Sequence, residues 1–125
     1  MATAKNVANW FEIPVTDIRR AVKFYSAVLG VTPEIMDMGE RKMAMFRGNK
    51  DEFGMGGALV QDQHWEPNLK GTTVYFSSDD VNGPLGKVEK AGGKVLVSKS
   101  SIGEYGFVAY FKDTEGNRVA LHSMK

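Results

Sequence analysis

At 125 residues, with 42% hydrophobic and 25% charged positions and a formal net charge of +1, the chain has the length and apolar content of one globular domain. Its charges are scattered, so composition offers neither a basic nucleic-acid groove nor an acidic tail. The absence of cysteine excludes disulfides, a thiolate nucleophile and Cys-based zinc sites.

The opening Met1-Ala-Thr-Ala-Lys5 carries no apolar signal core and no span of membrane length, so a cytoplasmic protein without a membrane partner is expected. Val7 to Val15 alternates and is rich in aromatic and branched residues, which predicts a strand. Pro14 cannot donate to a ladder and assigns that strand to an edge or a strand end. Thr16 or Asp17 caps a helix running to about Leu29, and Gly30 supplies its left-handed exit. Strands are predicted at Thr32–Met38, Lys42–Arg47 and Met55–Asp62, with a turn at Gly39-Glu40 and a polar loop over 48–53. Residues 63–71, including His64 and Trp65, form a polar connection.

A second copy follows with a strand at Thr72–Ser78, then a helix from about Val81 to Ala91 with Pro84 in its first turn, where a missing N–H costs little. Strands Lys94–Lys99, Phe107–Lys112 and Arg118–Ser123 complete the chain, the last two joined by the tight turn Asp113-Thr-Glu-Gly-Asn117. The order is β-α-β-β-β, twice. The two copies are offset by 63 residues: Trp10–Asp17 matches Thr73–Asp80, and the apolar spacings after Ile18 and after Val81 are 4, 3 and 3 in both. Module one covers about 7–62 and module two about 72–125 of a single domain. Each module has one helix for one sheet face, so the opposite faces meet each other, a second chain or a ligand.

With these elements in order, the sequence resembles the vicinal-oxygen-chelate superfamily of glyoxalase I, extradiol dioxygenases and bleomycin-resistance proteins. The likeness is carried by Ile13-Pro-Val-Thr-Asp-Ile18, Ala21-Val-Lys-Phe-Tyr25, Val28-Leu-Gly30, Val88-Glu-Lys-Ala-Gly-Gly93 and Gly106 through His122. It implies an α+β fold of two βαβββ modules, the glyoxalase/bleomycin-resistance/dihydroxybiphenyl-dioxygenase-like arrangement, with a cavity between curved sheets and a homodimer. Fold does not imply reaction. Metal-dependent members place one His or Glu on each of four strands, and here those positions fall on Trp10, Ala58, Thr73 and Ala120. Indole and methyl groups cannot ligate a divalent ion, and a lone Thr hydroxyl is a poor ligand. No metal and no other cofactor is therefore expected.

Strand alternation then places Glu12 beside Trp10, Tyr75 and Ser77 beside Thr73, and His122 beside Ala120. Glu12 and His122 are the best-placed ionisable pair, within one chain or across two, as an acid–base pair, as ligands of a shifted metal, or as plain cavity wall. The ligand-contact set is Trp10, Glu12, Thr73, Tyr75, Tyr105 and His122. Trp10 either fills the vacated centre or stacks on a planar ligand, and filling is the favoured assignment. Met36, Met38, Met43, Met45 and Met55 are assigned to the core rather than to an adaptable pocket. Glu104-Tyr105, between Gly103 and Gly106, is a candidate lid or a dimer contact. Gly54-Met-Gly-Gly57 lacks the ending of a phosphate loop and is read as a close-packed strand start. The expected function is binding of a small organic molecule in a metal-free cavity. The alternatives are a glyoxalase-related lyase or isomerase using Glu12 and His122, or a structural dimer module with a collapsed cavity.

Overall fold

The computed structural model describes residues 7–47, 52 and 54–125. Two four-stranded sheets form, one per module. The first contains β1 (Phe11–Val15), β2 (Glu34–Met38), β3 (Arg41–Phe46) and β4 (Gly57–Gln61), in the order β1-β4-β3-β2. The second contains β5 (Tyr75–Ser77), β6 (Lys94–Ser101), β7 (Phe107–Lys112) and β8 (Arg118–Ser123), in the order β5-β8-β7-β6. In each sheet the first strand pairs in parallel with the last, and the other pairings are antiparallel. The duplication survives at the level of register, because Glu12 sits opposite Ala58 as Tyr75 sits opposite Ala120. Pro14 lies on an edge strand, where its missing N–H interrupts no second ladder.

Helix α1 (Ile18–Leu29) forms as its pattern requires. Asp17 accepts a hydrogen bond from the Arg20 amide, and Gly30 closes the helix at φ 70°. Ile18, Ala21, Phe24, Tyr25 and Val28 are buried, the three-and-four spacing of one helical face. That face packs on Ile13, Val15, Ala44 and Leu59 from the first sheet. Phe76 of module two enters the same core, its ring 5.6 Å from Phe11 and from Phe46 and 5.9 Å from Tyr25. Tyr25 is fully buried and the three phenylalanines are half-buried against the core, so the modules share one core. Gly57 is buried against the Phe11 ring, and a Cβ there would overlap it. The close-packed reading of the Gly54–Gly57 start therefore holds at Gly57.

Several boundaries differ from expectation. β1 begins at Phe11 and β5 at Tyr75, each later than predicted. The loop expected at 48–53 falls mostly outside the described residues. The second helix, α2, spans only Asn82–Leu85 and continues to Gly92 as turns. Gly83, Pro84 and Gly86 explain this, since proline donates no amide and glycine weakens regular helix. The backbone then mixes bond types: Lys87 to Pro84 and Val88 to Leu85 span three residues, Ala91 to Lys87 four, and Gly93 to Val88 five.

The turn 113–117 has a role that its turn residues alone do not reveal. Asp113 is buried and accepts from the Tyr25 hydroxyl at 2.6 Å and from the amides of Glu115 and Asn117 at 2.9 Å. Burial, then the charge of Asp113, hold the Tyr25 phenol well above its ordinary range. Asn117 donates to the Pro14 carbonyl at 2.8 Å. Glu115 reaches the start of α1, where one oxygen accepts from the amides of Thr16 and Asp17 and both accept from Arg20. Burial alone would raise the Glu115 carboxyl, but bonds from Arg20, Asp17, Thr114 and Thr16 outweigh it and hold the group at about 2. Module two thus clasps the helix of module one through a hairpin.

Candidate functional site: the inner sheet faces

Alternation divides each sheet into a face toward the helices and an inner face. In the first sheet Ile13, Ala44 and Leu59 look toward α1, so Glu12, Ala58, Met45 and Met43 look inward. Met36 pairs with Met43 and shares that direction. The methionines assigned to the core are therefore not in it: Met36, Met38 and Met55 are exposed, and Met43 and Met45 are half-buried. Periodicity alone left their face open, and cross-strand register decides it.

The polar centre of this face is Arg41, the first residue of β3 after the Gly39 turn at φ 84°. Its Nη2 donates to Glu12 at 3.3 Å and its Nη1 lies 3.6 Å from Asp62. The guanidinium also lies over the Trp65 ring at 4.4 Å from its centroid, a cation–π contact. Glu12 also accepts from the Trp10 indole at 3.2 Å. Both indoles are exposed, Trp10 by 42%. In this chain Trp10 therefore does not fill the centre but leaves its ring open.

The inner face of the second sheet has three cross-strand rows. Ser77, His122 and Val108 form one, Tyr75, Ala120 and Tyr110 the next, and Arg118 and Lys112 the third, with Lys94 on β6 opposite Lys112. The Tyr75 and Tyr110 hydroxyls meet at 2.6 Å, on the strands flanking the fully buried Ala120. That bond, then partial desolvation, raises the Tyr75 phenol, with Arg118 acting weakly the other way. Arg118 donates from Nε and Nη2 to Thr73 Oγ1 at 3.1 and 2.9 Å. His122 Nε2 lies 2.6 Å from the Tyr105 carbonyl. A carbonyl only accepts, so Nε2 donates this bond. Tyr105 is 68% exposed in a single 3₁₀ turn between Gly103 at φ 72° and Gly106 at φ 102°.

The expected pair does not meet in this chain. Glu12 is engaged by Trp10 and Arg41 on one sheet, and His122 by Tyr105 on the other; among the described residues no hydrogen bond links them. Tyr75 is joined to Tyr110 and Thr73 to Arg118. Sequence reasoning named Trp65 only as part of the polar connection, and did not single out Arg41, Asp62, Tyr110 or Arg118. Tyr110 and Arg118 become visible through cross-strand register, and Asp62 and Trp65 through their contacts with Arg41; the sequence signals alternation without saying which strand lies opposite.

At the four positions that the sequence resemblance assigns to metal ligands, Ala58 and Ala120 carry buried methyl groups, Trp10 is bonded to Glu12, and the Thr73 hydroxyl carries a guanidinium. Among the described residues no three His, Asp or Glu side chains converge. Two open grooves are present. One, of about 330 Å³, runs between β1 and the start of module two, with Trp10, Glu12, Pro14, Thr72, Val74 and Arg118 in its walls. The other, of about 390 Å³, lies on the helix side at the start of α1. There Asp17 and Gln61 are already bonded to helix amides. No helix among the described residues is long and apolar enough to cross a membrane.

Comparison with known proteins agrees with this architecture. Residues 9–49 match the family described as bleomycin resistance protein-like N-terminal. A glyoxylase-like domain-containing protein of Didymella fabae is 34% identical over 114 residues, covering 88% of each chain. The anthracycline biosynthesis protein DnrV of Streptomyces peucetius is 27% identical over 90% of this chain, which spans only 45% of that longer protein. Glyoxalase I of Zea mays has the same fold with a TM-score of 0.67 at 22% identity, over 91% of this chain and 44% of that one. The chain belongs to the glyoxalase/bleomycin-resistance group of the vicinal-oxygen-chelate superfamily.

Proposed function

We propose that the protein binds a small aromatic organic molecule between its inner sheet faces, without a divalent metal and as a homodimer. The carrying observation is the set of open aromatic surfaces, Trp10, Trp65, Tyr75 and Tyr105, around polar groups that already have partners. Indole and phenol faces stack on planar ligands at low ordering cost. The exposed thioethers of Met36 and Met38 add a surface that adapts to shape. A metal-free site is supported by the Arg118 guanidinium on Thr73, because a fixed cation there repels a divalent ion. Membership beside proteins named for bleomycin resistance and anthracycline biosynthesis fits a ligand of this class. A second copy covers the apolar inner side chains left open in one chain, including Val97 on β6.

Calorimetric titration with 2-naphthamide, an uncharged aromatic probe, tests this reading. Saturable binding is expected, unchanged by a metal chelator, and weakened about fivefold or more by Trp10→Ala, the scale of one lost aromatic stack. No binding, or binding abolished by the chelator, defeats the corresponding part of the proposal. A monomeric mass by light scattering defeats the homodimer. Acid–base chemistry by Glu12 and His122 is the weaker reading, since each is held by another partner.

A further inference from the structure

We propose that the second sheet carries an oxyanion subsite, formed by Arg118 and the Tyr75–Tyr110 hydroxyl pair, for the carboxylate of an aromatic ligand. This rests on the preceding reading and names the ligand's charge. Three observations carry it.

The first is an uncompensated cation. The two inner-face arginines differ sharply in their surroundings. Arg41 lies between the carboxylates of Glu12 and Asp62. Arg118 donates to the neutral Thr73 hydroxyl and, at 3.5 Å, to the Gly71 carbonyl, and has no acidic partner among the described residues. Thr73 therefore aims the guanidinium without neutralising it. Its Nη1 is unengaged among the described residues, leaving donors for a planar carboxylate.

The second is a row of like charges. Lys94, Lys112 and Arg118 lie opposite one another on β6, β7 and β8. Like charges directly opposed across strands destabilise a sheet. No acidic residue occupies the inner positions of β5 to β8 to relieve them. A bound anion would.

The third is a spare proton. The two phenols share one hydrogen bond, so whichever donates, one hydroxyl hydrogen remains to be offered outward. The pair stands one row from Arg118, close enough for the arginine charge to act on Tyr75. Arg118 also shares the 330 Å³ groove with Trp10, so a ring against the indole can extend its carboxylate toward the guanidinium. Glu12, the one carboxylate in that groove wall, is already bonded by Trp10 and Arg41.

The test compares 2-naphthoate with 2-naphthamide, which differ in charge and scarcely in shape. The wild-type chain is expected to bind naphthoate about tenfold more tightly, the scale of one charge-assisted hydrogen-bonded contact. Arg118→Gln and Arg118→Met should each erase that preference, bringing the two probes to equal affinity. The double variant Tyr75→Phe/Tyr110→Phe should reduce it about threefold. Lys87→Met, with the same charge change on the helix side, should leave it intact. Equal affinity for both probes in the wild type, or a preference that survives both Arg118 variants, overturns the subsite and leaves the aromatic site standing. Failure of both probes to bind overturns both proposals.

Discussion

Replacing Glu115 with alanine is expected to lower the unfolding free energy by about 3–4 kcal/mol, among the larger single-residue effects in a domain of this size. Its side chain is fully buried and accepts from two backbone amides, the Thr16 and Thr114 hydroxyls and Arg20. Truncation leaves the amides at the start of α1 without their acceptor. The carboxyl sits at about 2 in the folded chain against an ordinary 4.5. A depressed folded value means that its contribution is complete above about pH 4.5 and is lost as pH falls toward 2. The linked amount is about 2–3 kcal/mol, at the lower end because Arg20 is half-exposed. Denaturant titrations from pH 6 to pH 2.5 should show wild-type stability falling through this window and Glu115→Gln falling less. Parallel acid limbs would mean that the clasp carries no such linkage.

The second large effect is expected at Gly106. Gly106→Ala should cost about 3–5 kcal/mol, whereas Gly103→Ala should cost about 1 kcal/mol, although both glycines have positive φ. At Gly103, φ 72° lies in the left-handed region and the space around a new Cβ is open. At Gly106, φ 102° with ψ −134° is glycine territory, and a Cβ would overlap the Ser123 carbonyl on β8. A paired strand cannot move aside as a flexible side chain can. Thermal unfolding of the two variants separates dihedral strain from overlap, and equal losses would mean that β8 yields. Because Gly106 anchors the turn that presents the Tyr105 carbonyl to His122, the surviving folded fraction should also show an altered His122 imidazole resonance.

Local signals were the legible part of this chain. Asp17, one of the two caps expected, and Gly30 bound α1, and β7 and β8 run where alternation and the 113–117 turn place them. Each depends on neighbours a few positions away. What escaped required knowing which strand lies opposite which. The methionines of β2 and β3 alternate equally well on either face, and only the pairing of Ala44 with Leu59 turns Met43 and Met45 inward. Tyr110 looks like an ordinary strand aromatic until register sets it across Ala120 from Tyr75. Glu115 is read locally as a polar turn residue, and its role comes from a helix start 98 positions earlier. The same limit applies to Glu12 and His122: their strand directions were inferable, but the partners that engage them were not.

The hairpin clasp also bears on the direction of synthesis. The first helix is made well before its partner: the carboxylate that receives its leading amides arrives only with residue 115, 98 positions after Asp17. The nascent first module therefore lacks its helix-start acceptor, and Tyr25 lacks its Asp113 partner, until the 113–117 hairpin leaves the ribosome. Contacts this distant in sequence slow folding, so this domain completes its fold when the 113–117 hairpin closes back on α1.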